Sequence, residues 1–255
     1  MGRPTRGTKR WVAEREAWRA RPPWPCAVLA ADPGERAGAA LIVPSISGGF
    51  GPGHLTHCVW AREVRTYTRD VERCVEDAAR EAARLELLLV LLVEEWGRGG
   101  PLGIDSWIGL GEMRGAWRRT VVLAADKYPD TIRPSRCVAR ANMTTWRSHM
   151  IEETGDVDAA GRRRAFDPDG WKRAATRACS QIYPYLKLEG ANAAEAALIG
   201  AYGLRSDEVG RKLPASLLRS RGLEAPPARA SRDPRRKERL DAETRRVVEF
   251  LGLED

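Results

Sequence analysis

The chain has 255 residues, 43% of them hydrophobic, and carries 43 Lys and Arg against 35 Asp and Glu, a formal net charge of +8. That is enough apolar sequence for one large domain with extensions or for two small domains, and a positive excess made mostly of Arg suits a polyanionic partner or a solvated basic surface. A disulfide scaffold, a zinc site and a membrane span are all disfavoured. The five cysteines (Cys26, Cys58, Cys74, Cys137 and Cys179) are scattered and never form a C-x-x-C pair, and no apolar run reaches about 18 residues. The basic start "MGRPTRGTKRWVAEREAWRA" lacks the apolar centre of a secretory signal, so a reducing cytoplasm is expected.

Residues 1–25 are basic, carry Trp11, Trp18 and Trp24, and end in the breaker "RPPWP", which reads as a helical or irregular arm. The core is expected over 26–205. "CAVLAAD" and "AGAALIVP" are apolar runs of strand length, and "LTHCVWAREV" alternates as a third strand after the Gly-rich loop "SISGGFGPGH". Three strands without an intervening helix imply an antiparallel meander. Helical spacing follows through "VERCVEDAAREAARLE", with Val71, Cys74, Val75, Ala78, Ala79 and Ala82 on one face. "LELLLVLLVEE" reads as a central strand buried on both faces. A long helix over "IDSWIGLGEMRGAWRRTVVLAADKY" and a strand within "IRPSRCVARANM" come next. "DPDGWKRAATRACSQIYP", with Asp169 as a cap, and the Ala-rich "GANAAEAALIGAYGL", ended by Gly203, are two further helices. From about Ser206 to residue 255 the composition turns to charge blocks and proline, read as a basic linker and a short terminal helix outside the core.

Acidic residues end or interrupt three of the apolar elements. Asp32 closes the first strand, Glu94 and Glu95 close the central one, and Glu195 shares the late helix with Asn192, three residues earlier and so on the same face. A buried carboxylate must be paired, hydrogen-bonded or metal-bound. If the first and fourth strands are neighbours, Asp32 and Glu94 meet at one end of the sheet, and the late helix can add Glu195. Clustered oxygen ligands suit Mg²⁺ or Mn²⁺, and two such ions about 4 Å apart assist phosphodiester hydrolysis. Glu95 is an alternative to Glu94, but as the adjacent strand residue it points to the opposite face. Read singly, Asp32 before Pro33-Gly34 is an ordinary turn residue, and Asn192 an N-terminal cap.

In the order "VLAADPGERAGAALI", "VLLVEEWGRG", "GLGEMRGAWRRTVV" and "GANAAEAALIGAYG", with "MTTWRSHM" and "WKRAATRACSQIYP" as a basic strand-loop-helix region, the sequence resembles the RuvC-like Holliday junction resolvases of the ribonuclease H-like superfamily. The resemblance runs from about Ala27 to Leu204. It implies an α/β fold with a five-stranded mixed sheet flanked by helices, the first three strands antiparallel. It also implies a homodimer and divalent-metal cleavage of four-way DNA junctions by paired nicks. Carried over by position, Asp32 and Glu94 are the first two metal-binding carboxylates and Glu195 the third. Where the family shows two acidic residues three apart, this chain has Asn192 and Glu195. Asn192 can ligate through its carbonyl oxygen or hold a water, although the lost charge weakens a second metal.

Trp96 is nearest to the family's aromatic residue after the central glutamate, where it would stack on an opened base. Arg133, Arg136, Arg140, Arg147, Lys172, Arg173 and Arg177 fall in the region that faces DNA in the family, as contacts to phosphates. His54 and His57 flank the Gly-rich loop with no further ligand nearby, and read as loop histidines. Two other functions remain open: a branched-DNA-binding protein with weak or lost cleavage, and another ribonuclease H-like nuclease or recombinase.

Overall fold

A computed structural model describes residues 9–45, 56–66, 69–95, 104–151 and 168–227. The strands and helices follow in the order α1 (Lys9–Ala20), β1 (Cys26–Asp32), β2 (Arg36–Pro44), β3 (Thr56–Arg65), α2 (Arg69–Arg84), β4 (Leu88–Glu95), α3 (Ile104–Ala124), β5 (Val138–Asn142), α4 (Met143–Met150), α5 (Pro168–Ile182), α6 (Ala191–Gly203), α7 (Asp207–Gly210) and α8 (Ala215–Ser220). Five strands form one mixed sheet in the order β3-β2-β1-β4-β5. The first three strands are the expected antiparallel meander, and β4 and β5 add in parallel to β1.

The sheet separates two apolar layers. Alternate residues of β1 and β4 (Ala27, Leu29, Ala31; Leu89, Leu91, Val93) pack with α2 and with Trp117 and Val121 of α3. Here α2 buries the six residues that its helical spacing singled out. The other set (Cys26, Val28, Ala30; Val90, Leu92) packs with α4, α5 and α6. Strands buried on both faces read as continuous apolar runs, which is why β1, β2 and β4 have so little polar punctuation.

Small residues bring α6 down onto β1 and β2. A Cβ added to Gly200 would lie 2.4 Å from Ile42 Cγ1, and one added to Gly38 would lie 1.9 Å from the carbonyl oxygen of Asn192. The start of α6 therefore rests on the backbone of β2 opposite Asp32, which pairs with Gly38.

The structure adds to the sequence reading in three places. The strand within "IRPSRCVARANM" is confined to Val138–Asn142 and runs straight into α4, because Asn142 accepts a hydrogen bond from the Thr145 amide and caps a new helix. Past Ser206 the chain stays in the same compact unit as far as Ala225. Val209, Leu213 and Leu218 enter the core, and the Trp24 indole donates to the Ser206 carbonyl at 2.7 Å. Finally, the arm holds α1, whose Trp18 stacks on Tyr202 of α6 with centroids 5.6 Å apart. Arg15 of α1 donates to the His149 carbonyl of α4. Trp96, His54, most of the Gly-rich loop, the capping contact expected of Asp169 and the terminal helix lie outside the described residues.

Candidate active site

Strand register brings the first two carboxylates together. Ala30 pairs with Leu92 and Ala31 with Val93 in the parallel β1–β4 ladder, so the next residues, Asp32 and Glu94, lie side by side where the two strands end. By alternation both side chains share the α6 face with Val28, Ala30 and Leu92. Glu195 comes from the first turns of α6, held low over the sheet by Gly38. Asp32 lies close enough to both Glu94 and Glu195 for each to act on its charge. Glu94 is 1% exposed and Glu195 4%, so this is a cluster of like charges largely removed from water.

Two residues of α4 compensate part of that charge. The Trp146 indole donates to Glu94 Oε1 at 2.6 Å, and Arg147 donates to Glu195 Oε1 at 3.0 Å. The Arg147 guanidinium lies 5.3 Å from the ring centroids of both Trp146 and Trp171, a cation–π setting that fixes its position. Burial, then the charges of Glu94 and Glu195, push the Asp32 carboxyl well above the usual carboxylate range, while Arg147 opposes the shift. Burial also raises Glu195; Arg147 and Lys172 pull it down, and Glu94 pushes it up.

The donor set is chemically suited to a hard divalent cation: three carboxylates in one cluster, short of positive charge. Glu94 and Glu195 are engaged by Trp146 and Arg147, and among the described residues no group of three His, Cys, Asp or Glu is placed to hold a metal ion as it stands. Arg147, through its pair with Glu195, and the Trp146 indole supply the compensation in this arrangement.

The other expected site residues are distributed around the fold. The Asn192 side-chain amide donates to the Arg36 carbonyl at 2.9 Å, tying the start of α6 to β2. Glu95 points to the opposite face and pairs with Arg140 at 2.7 Å. Lys172 lies close enough to Glu195 to act on its charge, and Arg173 and Arg177 are exposed on the same helix, α5. Arg133 and Arg136 are exposed beside Leu88–Val90, at the start of β4, with the length of the strand between them and the carboxylates.

Two functional contacts escaped sequence reasoning. The bond of Trp146 to Glu94 is one, because nothing in "MTTWRSHM" shows the direction of the indole. The other is Arg114 of α3, which donates to the main-chain carbonyl of Glu94 at 3.1 Å from the far face of the sheet. Nothing in "GLGEMRGAWRRTVV" distinguishes Arg114 from the other arginines of that helix as the one that reaches the sheet.

The fold is the one expected from the sequence, a five-stranded mixed sheet flanked by helices with its first three strands antiparallel. No protein-family model matches the chain, and no curated protein matches its sequence. Among solved structures, the chain is similar to the Thermus thermophilus RuvC structure at 16% identity and a TM-score of 0.43, over 79% of this chain and 99% of that one. It is also similar to T. thermophilus RuvC in complex with Holliday junction substrate at 13% identity and a TM-score of 0.42, over the same shares of the two chains.

Proposed function

We propose that this protein is a divalent-metal-dependent, structure-selective endodeoxyribonuclease that resolves four-way DNA junctions as a homodimer. The observation that carries this reading is the convergence of Asp32, Glu94 and Glu195 at the end of the central strands, beneath a helix that bears Arg147. The motif order in the sequence supplies the substrate class and the dimer.

Asp32, Glu94 and Glu195 hold the cation site. Mg²⁺ or Mn²⁺, two ions per site, would supply activated water and stabilise the leaving oxygen of the phosphodiester. The three carboxylates orient the attacking water. Burial of Glu94 and Glu195 limits competing solvent, and Trp146 holds Glu94 in one rotamer through its indole bond. Arg147 of α4 and Lys172 of α5 lie near Glu195, and together with Arg173 and Arg177 of α5 they suit contacts to phosphate oxygens. Asn192 fixes the height of α6 through Arg36 and contributes an amide rather than a second negative charge at the helix start.

Incubation of synthetic four-way junctions with Mg²⁺ or Mn²⁺ tests the reading, with RNA–DNA hybrid and linear duplex as competitors. Paired incision of the junction, lost in Asp32→Asn, is the expected result. No incision by the wild type, or equal incision by Asp32→Asn, overturns it. Asn192 favours a second reading, a junction-binding protein with little cleavage. That reading expects metal-independent, salt-sensitive binding without nicking.

A further inference from the structure

On the face of the sheet opposite the carboxylates, Arg114 and Arg118 lie one helical turn apart on α3. Arg140 of β5 points toward them, since its neighbours Ala139 and Ala141 belong to the α6 face. Each guanidinium lies within the field of the others. Among the described residues Glu95 is the carboxylate on this face that acts on Arg114 and Arg118, and it is engaged by Arg140 at 2.7 Å; Glu94 and Asp32 act on Arg114 from the other face. Arg114 uses Nε for the Glu94 carbonyl. That leaves Arg114 Nη2 and Arg118 Nε buried without a hydrogen-bond partner among the described residues.

A clamp on the end of β4 needs one arginine and one bond. Three guanidiniums around one carboxylate, with two buried N–H groups unmade, exceed that need, and an unmade buried donor is costly. The ligand that satisfies such a set is a tetrahedral oxyanion, which accepts several N–H bonds at once and neutralises the excess charge.

We propose that Arg114, Arg118 and Arg140 form a phosphate-binding cradle on the α3 face of the sheet, taking a backbone phosphodiester of the nucleic acid. The choice of a phosphodiester over free phosphate rests on the nuclease reading; the anion chemistry does not. Seated there, the phosphate group would anchor a strand behind the end of β4, away from the carboxylate cluster.

The test uses the full-length protein in EDTA, so that no cleavage step enters. Arg118→Gln removes a donor that makes no hydrogen bond among the described residues, Arg118→Lys keeps charge without the fork, and Arg84→Gln, at an exposed position of α2, is the control. Fluorescence anisotropy with a four-way junction is measured across a salt series, and thermal unfolding is measured with inorganic phosphate against chloride at equal ionic strength. The expected result is weaker junction binding by Arg118→Gln, with a slope of log K on log salt about 0.9 smaller, as for one lost phosphate contact. Arg118→Lys should recover the slope but only part of the affinity, and Arg84→Gln should match the wild type. Wild-type junction binding unchanged by Arg118→Gln in both affinity and slope overturns the cradle and leaves the nuclease reading standing. Stabilisation by inorganic phosphate that Arg118→Gln loses, with no junction binding by the wild type, overturns the phosphodiester ligand and the nuclease reading together. The anion site then stands as one for free phosphate.

Discussion

Gly38 of β2 lies directly beneath Asn192 of α6, so close that a Cβ would stand 1.9 Å from the Asn192 carbonyl oxygen and 2.4 Å from its carbon. Both neighbours are backbone and cannot rotate away. The contact sets the height of α6 and, one turn further on, the distance of Glu195 from Asp32. Gly38→Ala must lift the start of the helix. We expect a loss of about 1–3 kcal/mol, the usual cost of overpacking, read as a lower urea midpoint, together with weaker cation binding. An unchanged midpoint would show that α6 is not seated on β2 in this way.

The bond from the Trp146 indole to Glu94 Oε1 is fully buried. Trp146→Phe keeps most of the ring and removes the donor, leaving a carboxylate oxygen unmet. A loss of about 1–3 kcal/mol is expected from that oxygen alone, and more from the smaller ring. Glu94→Gln in the Trp146→Phe background should recover part of it, because the remaining group is then uncharged. A double mutant no more stable than Trp146→Phe would contradict the pairing.

Burial, then the charges of Glu94 and Glu195, disfavour the charged form of Asp32. Its raised carboxyl contributes stability that is present at acid pH, below the unfolded value, and is lost as pH rises through the raised folded value. In EDTA, Asp32→Asn should therefore be more stable than the wild type at neutral pH, and the gap should close as the solution is acidified. Thermal unfolding of both proteins between pH 4 and 8 (roughly the span between an ordinary carboxylate and neutrality) checks it. A wild type that is the more stable of the two at neutral pH would contradict the clustering.

Much of this was legible in the sequence, for a physical reason. Elements buried on one stripe or on both faces leave a periodic or continuous apolar trace, so α2, β1, β2 and β4 read directly, and Asp32 and Glu94 stood out as charges where such traces end. The chain does not announce short elements with few apolar residues. In α4, Asn142 looks like the end of a strand until its side chain is seen to cap the next helix. In α7 and α8, single core residues such as Val209 and Leu218 are embedded in charge, and the segment reads as linker. The basic residues were grouped by nearness along the chain. Strand β5 carries the chain from one end of the sheet to the other, so Arg133 and Arg136 fall at the start of β4 while Arg147 reaches the carboxylates.

The boundary at Ala225 has its own consequence. A chain ending after residue 205 loses the core contacts of Val209, Leu213 and Leu218 and the acceptor of the Trp24 indole. At about 1.5–3 kcal/mol for each buried aliphatic side chain, that loss rivals the whole stability of an ordinary domain. Residues 1–225 should unfold cooperatively in denaturant, whereas residues 1–205 should not. Equal, cooperative unfolding of the two would place the boundary back at Ser206.

The central claim is that Asp32, Glu94 and Glu195 together receive a divalent cation. X-ray diffraction from crystals of the full chain grown with saturating Mn²⁺, recorded at the manganese absorption edge, tests it most directly. The account predicts an anomalous peak bounded by oxygens of all three carboxylates, with Arg147 released from Glu195. Manganese bound elsewhere, or no peak there with the Arg147–Glu195 pair intact, would contradict it.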